Sequence, residues 1–259
     1  MKRPACALAS AVAVALLAAP GVMAQERPNS PPGGAPDART HGGSRNSYAN
    51  PSAVIAAELA FARDAQVRGQ WTAFAATAAP DAVMFMPGMV WAQRWLKGRA
   101  NPAVAVKWQP QEIWSSCDGT LMVSHGAWQG PKGIGYYTTI WQRQPDGKYK
   151  WVFDHGDVLT QALPAPEMLT AHVADCPDRP RRPDGPSPQG KPKKVKAVKL
   201  SDLPPLDPAH RSGAAGDGSI KWDVTVDADG GRLLSVTWLK DGGERAMLFD
   251  QVAASQPAE

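Results

Sequence analysis

Four extended runs follow one another between residues 107 and 158 with only short turns between them, and this stretch decides what kind of layer the chain has to build. The runs cover 107–116, 121–129, 134–143 and 148–158, separated by Cys117-Asp118-Gly119, Gly130-Pro131-Lys132-Gly133 and Pro145-Asp146-Gly147. Turns this short join neighbours, so adjacent runs are expected to pair antiparallel. Such a sheet has an apolar face to bury, and cover for it comes from upstream. Helical spacing over 52–68 places Val54, Ile55, Leu59, Phe61, Ala62 and Ala65 on a stripe, with Asn50 as a capping side chain, Pro51 at the first helical position and Gly69 as the stop. A second helix over 71–79 offers Trp71, Phe74 and Ala75. Residues 82–86 then read as a short strand, and 90–97 as a helix with Trp91 and Trp95 one turn apart. Helices laid on one face of an antiparallel sheet predict an α+β fold.

The order of these elements and several short motifs carry a resemblance. They are Ala57-Glu58-Leu59-Ala60-Phe61 in the first helix, the Gly69-Gln70-Trp71 break, Pro80-Asp81-Ala82-Val83 leading to Phe85-Met86-Pro87, and Trp141-Gln142-Arg143 leading to Asp146-Gly147-Lys148-Tyr149-Lys150-Trp151. Over residues 50–160 the chain resembles the nuclear transport factor 2-like superfamily in its bacterial SnoaL-like branch, a cystatin-like α+β cone. The resemblance implies a curved sheet wrapped on helices, often a homodimer, with a pocket in the open end. Its members include isomerases, dehydratases, epoxide hydrolases and proteins that only bind or assemble, so the resemblance implies a fold rather than a reaction.

The flanks speak about compartment. Residues 1–24 open with Lys2 and Arg3, run through Ala, Leu and Val, and close on Val22-Met23-Ala24, which is the pattern of a signal peptide. The run is interrupted by Pro20 and is too short for a retained span. The expected protein is therefore periplasmic or secreted, with no membrane contact after cleavage. Residues 25–49 are Pro, Gly, Ser, Asn and Arg without periodicity and are expected to be disordered. Cleavage removes Cys6 and leaves Cys117 and Cys176 where disulfides persist, so the two are expected to pair, the alternative being two inert thiols. By loop entropy such a closure would contribute about 4 kcal/mol.

The formal charge of +4 is concentrated between residues 178 and 199, where eight basic residues meet two acidic ones, and the rest of the chain is net acidic. Residues 161–215 read as a Pro/Lys-rich linker, with a helical turn over 165–175 bringing Cys176 back toward Cys117. Without interleaved aromatics the linker is a poor stacking platform, and no nucleic-acid partner is expected. Residues 216–253 form a C-terminal β extension. Its runs at 219–226, 232–239 and 245–252 are divided by Asp229-Gly230-Gly231 and Asp241-Gly242-Gly243, an antiparallel meander. Three strands are at the limit of independent stability, so the meander is expected to dock on the larger sheet and cover one of its edges.

The ionisable cluster at the end of the 148–158 run is the best place for chemistry. Strict alternation puts Trp151, Phe153, His155 and Asp157 on one face and Val152, Asp154 and Gly156 on the other. If the first set lines the pocket, Asp157 can orient the His155 imidazole for acid–base work. The plainer reading makes Asp154 and Asp157 strand-end caps with His155 an ordinary partner. Glu58 is a further acid candidate, either aimed into the cone with a raised pKa or, as its place beside the stripe favours, at the margin with a wet carboxylate. His125, Trp128, Tyr137 and Trp151 are the candidate ligand contacts. A metal shared by His125 and His155 lacks a short-spaced ligand pair, and no metal or cofactor is expected. There is no Gly-rich phosphate loop, no Gly-x-Ser-x-Gly elbow and no Cys-x-x-Cys, which argues against nucleotide and serine-hydrolase chemistry.

These residues fit an exported protein that binds a small, largely apolar molecule. They also fit an isomerase- or dehydratase-type enzyme using a His/Asp pair, or an assembly module with a filled pocket. Mass analysis of the mature chain tests the compartment argument: alkylation should add nothing before reduction and two adducts after it.

Overall fold

The computed structural model describes residues 49–176 and 200–253. The predicted signal peptide, all but the last residue of the predicted disordered segment and the basic part of the linker lie outside the described residues.

Helix α1 spans Pro51–Arg68 with Pro51 at its start, where a missing N–H costs nothing. Asn50 contributes its backbone carbonyl to Ala53 N (3.0 Å) rather than a side-chain cap. The buried residues of α1 are Val54, Glu58, Phe61 and Ala65, whereas Leu59 from the expected stripe is 46% exposed. Gly69 closes α1 at φ +98°, a conformation that favours glycine, and a Cβ there would strike the Asn101 side chain. The Asn101 carboxamide oxygen accepts from Trp71 N (2.7 Å) and Thr72 N (3.1 Å), satisfying first-turn donors of α2, Gln70–Thr77.

Seven strands form the larger sheet: β1 Ala78–Phe85, β2 Met89–Trp91, β3 Lys107–Ser115, β4 Leu121–Gly130, β5 Gly133–Arg143, β6 Tyr149–Leu159 and β7 Thr170–Val173. Their order is β2-β1-β6-β5-β4-β3-β7. The four central strands pair antiparallel as their turns require. The sheet as a whole is mixed, because β1 runs parallel to β6 and β7 parallel to β3. This corrects the purely antiparallel expectation: the connections between β1 and β6 and between β3 and β7 are long, and no turn signal reports such pairings. The fold is α+β.

Two local readings also change. The predicted helix over 90–97 begins as β2 and turns helical only in α3, Ala92–Leu96, since Val90 and Trp91 complete a hairpin with Met84 and Val83. The predicted helical turn over 165–175 contains β7, whose backbone groups are taken up by β3. Cys117 and Cys176 are disulfide-bonded with Cα atoms 5.4 Å apart, fixing the β3–β4 turn to the chain beyond β7.

The C-terminal part is a separate antiparallel sheet of four strands, not three: β8 His210–Ala214, β9 Ile220–Val226, β10 Arg232–Lys240 and β11 Gly243–Val252, in the order β11-β10-β9-β8. Strand β8 and a 3-10 turn at Leu200–Asp202 fall inside the predicted linker, where short polar segments hid a strand that only its pairing with β9 stabilises. This sheet packs against the face of the larger sheet opposite α1, rather than along one edge. Phe153 meets Trp222 with ring centroids 5.1 Å apart, and His172 stacks on Trp114 and meets Trp238 edge to face. Ser219 Oγ accepts from Cys117 N (2.9 Å), and Asp175 pairs with Lys240 (2.8 Å).

Trp222 is 5% exposed between the two sheets. Replacing it with Ala should destabilise the chain by about 3–5 kcal/mol, read as a lower urea midpoint.

Candidate functional site

The site is set by β6, whose alternation is broken once. Between the pairs Ile140↔Phe153 and Trp141↔Trp151 the register shifts, and Val152 is the extra residue. Trp151 therefore turns toward the helices, where it meets Phe74 at 5.9 Å, while Phe153 turns toward Trp222 in the other sheet. Past the bulge alternation resumes, sending Asp154 to the helix side and His155 to the C-terminal sheet.

On the helix side lies a cavity of about 290 Å³. Its wall is formed by Phe61, Trp71, Phe74, Phe85, Trp108 and Trp128, with Tyr137, Thr139 and Asp154 among the few polar groups and Gln70 beside them. Gln70 is held by Val106 N, which donates to its Oε1 (3.1 Å). Asp154 sits deep in the fold yet keeps part of its surface open to the cavity. Thr139, its register partner on β5, donates its hydroxyl to Asp154 Oδ2 at 2.6 Å. Among the described residues the carboxyl receives no second hydrogen bond. Burial raises its pKa to about 7, and the Glu58 charge adds to the shift against the lowering effect of Thr139. The Tyr137 hydroxyl is buried with no hydrogen-bond partner among the described residues.

Behind this wall is Glu58, fully buried. Trp108 Nε1 donates to Oε1 (2.7 Å), and Ser124 Oγ (2.6 Å) and Trp141 Nε1 (3.0 Å) converge on Oε2. Burial raises its pKa against these three donors. The expectation of a wet carboxylate at the stripe's margin is thus corrected. Glu58 occupies the centre of the series 54, 58, 61, 65, and three donors from the sheet satisfy it there. It does not line the cavity.

On the opposite face His155 belongs to a different network. Arg232 Nε donates to its Nδ1 (3.3 Å), so the ring proton is on Nε2, which faces Asp250 Oδ2 at 3.1 Å. Thr138 donates to the same Asp250 oxygen (2.8 Å) and accepts from His125 Nδ1 (3.0 Å). Burial lowers the pKa of both imidazoles. Arg232 also donates to Gly156 O (2.7 Å) and lies over the Phe85 ring at 4.5 Å.

The structure thereby separates the predicted site residues. Asp154, Trp128 and Tyr137 line the cavity. His155 and Asp157 reach its rim, but the His155 side chain is committed to Asp250, so the proposed His155–Asp157 pair does not form. Asp157 accepts from Val158 N instead (2.8 Å). His125 lies on the far face, and Trp151 is core, its indole N–H without a partner among the described residues. No cluster of three or more metal-ligating side chains occurs among the described residues. Sequence reasoning missed Thr139, Asp250 and Arg232. The register of a short hairpin could have found Thr139, but nothing local points to two residues on a distant sheet.

No protein-family model matches the chain, and no curated protein sequence matches it. Solved structures similar to it include a ketosteroid isomerase-like protein from Parabacteroides distasonis, at 14% identity and a TM-score of 0.34, over 44% of this chain and 97% of that one. A cystatin-like fold protein from Burkholderia xenovorans is 17% identical with a TM-score of 0.34, over 44% and 92%. A protein of unknown function from Pectobacterium atrosepticum is 13% identical with a TM-score of 0.36, over 42% and 91%. What the cavity does has to be argued from its own chemistry.

The Asp154 carboxyl gives a pH test. Unfolded, it loses its proton near 3.8, and folded, near 7. Between those values the folded chain holds a proton that the unfolded chain has lost, so stability falls as pH rises from about 4 to about 7. Asp154→Asn should remove that fall. Its urea midpoint should gain on the wild type steadily toward neutral pH, because the opposite slopes from His125 and His155 are common to both chains and cancel. A constant difference would mean that the carboxyl titrates as it does in open chain.

Proposed function

We propose that the protein is an exported small-molecule-binding protein whose cavity takes a small, largely apolar, ring-containing ligand. The observation that carries this reading is the cavity itself, about 290 Å³ of space walled by aromatic rings, with a few polar groups placed to orient what enters. The N-terminal signal pattern supports export, as does a disulfide that would persist outside the cytoplasm.

A second reading, acid–base enzyme of the isomerase or dehydratase type, is favoured by one specific feature. Asp154 is a carboxyl open to an apolar cavity with a pKa of about 7, where a side chain can both take and return a proton. The His/Asp pair expected from sequence has no part in it, because His155 faces away.

Native mass spectrometry of protein purified from its own host should show a co-purifying apolar molecule. Once that molecule is known, Asp154→Asn separates the readings. The binding protein keeps its ligand with no turnover to lose, whereas the enzyme keeps its ligand and loses turnover by about 10²-fold or more. His155→Ala should reduce stability in either case. No turnover of that molecule by the native chain would eliminate the enzymatic reading, and turnover unaffected by Asp154→Asn would eliminate Asp154 as its acid–base group.

A further inference from the structure

The charge around the cavity is one-sided. Its lining includes Asp154 and Asp157 and neither lysine nor arginine among the described residues; the Asp154 side chain is on the helix side, whereas Asp157, on the face of His155, lies in the field of Arg232. Asp154 has a neutral hydroxyl as its one hydrogen-bond partner. Glu58, behind the wall, is held by two indoles and a serine, again without a cation. The positive group packed nearby, Arg232, lies on the other face of β6 and is engaged by Gly156 O and His155. Asp154 and Glu58 thus share one apolar region with no counter-charge among the described residues on their side of the sheet, and water in a space this small replaces little of the lost solvation.

From this arrangement we infer that the cavity is built for a hydrophobic cation, an amine or quaternary ammonium carried on a ring, with the charged head at Asp154 and the apolar body against the indole and phenyl rings. The inference rests on the small-molecule-binding reading above and names the class of ligand. An anion would meet charges of its own sign. A neutral hydrocarbon would leave the open oxygen of Asp154 without a partner. A cation satisfies the carboxylate and is also attracted by aromatic walls, since the face of a ring carries the negative side of its quadrupole.

Uptake of a permanent cation should also be coupled to a proton. Burial holds the proton on Asp154 up to about pH 7, only partly offset by the Thr139 hydrogen bond. The titratable groups that face it, Glu58 from α1 and Tyr137 from β5, are likewise shifted toward their protonated forms by burial, and His155 and Asp157 flank it on its own strand. A cation would draw the Asp154 proton off into solvent, so affinity should rise with pH through the neutral range.

The full disulfide-bonded chain can be titrated with phenyltrimethylammonium and with tert-butylbenzene, its neutral isostere, following the fluorescence of the wall tryptophans. The cation should bind about tenfold more tightly than the hydrocarbon at about pH 8. That preference should shrink toward about pH 5 and vanish in Asp154→Asn. If the hydrocarbon binds and the cation binds no better at any pH, the cation inference is overturned while the apolar-ligand reading stands. If neither probe binds, both are overturned. A preference that survives in Asp154→Asn would also sink the assignment of the head group to Asp154. Should that variant fail to fold, the two-probe comparison on the native chain across pH still decides.

Discussion

A strand covered on both faces has no solvent side on which to leave its polar residues, and β6 is such a strand. α1 and α2 cover one face of the central sheet and the C-terminal sheet covers the other, so each polar group along β6 must find a partner within the protein. Asp154 and His155, adjacent in sequence, find theirs in opposite directions. Asp154 takes the Thr139 hydroxyl at the cavity wall, and His155 takes Asp250 and Arg232 across the second interface. The chemistry of the cavity follows from this sorting, because it leaves a carboxyl, and no imidazole side chain, facing the apolar space.

The two polar networks are built differently. Both nitrogens of His155 are matched: Arg232 gives to Nδ1, Nε2 gives to Asp250, and Thr138 and His125 extend the chain, an arrangement that ties the C-terminal sheet to the larger one. A fully paired buried network serves register and specificity more readily than reactivity. Around Asp154 the matching is incomplete. Among the described residues the carboxyl has one donor, Tyr137 has no partner for its hydroxyl, and a hollow lies beside them. Incomplete satisfaction next to empty space is what a ligand can exploit, and it is why the functional argument centres on this face. Glu58 stands between the two cases. It is fully hydrogen-bonded, but by neutral donors, so its burial still raises its pKa, and whatever charge it carries pushes the Asp154 pKa up as well.

Much of the site was within reach of pattern reading, and the failures have identifiable causes. Glu58 lies four residues after Val54 and three before Phe61, which is core spacing. It was placed at a wet margin because a carboxylate is costly to bury unless partners exist, and those partners, Trp108, Trp141 and Ser124, lie 50 to 83 residues away. The assignment of Trp151, His155 and Asp157 to one face failed at Val152, since a bulge inserts one residue and reverses every face assignment on one side of it. Strands β7 and β8 escaped notice for another reason. Segments of four and five residues with exposed side chains carry too little periodicity to read, and they are strands because β3 and β9 offer them free edges.

Alternation, turn residues and helix punctuation determined the four central strands, their antiparallel pairing, the helices that precede them and the existence of a β-rich C-terminal part. All of these are set by interactions between residues close in the chain. The parallel pairing of β1 with β6, the packing of the second sheet on the face of the first, the partnership of His155 with Asp250 and the position of Asp154 at the cavity were decided by tertiary structure alone. Each depends on a contact between distant segments, and a local pattern cannot encode which buried polar group will meet which partner when two faces are covered at once.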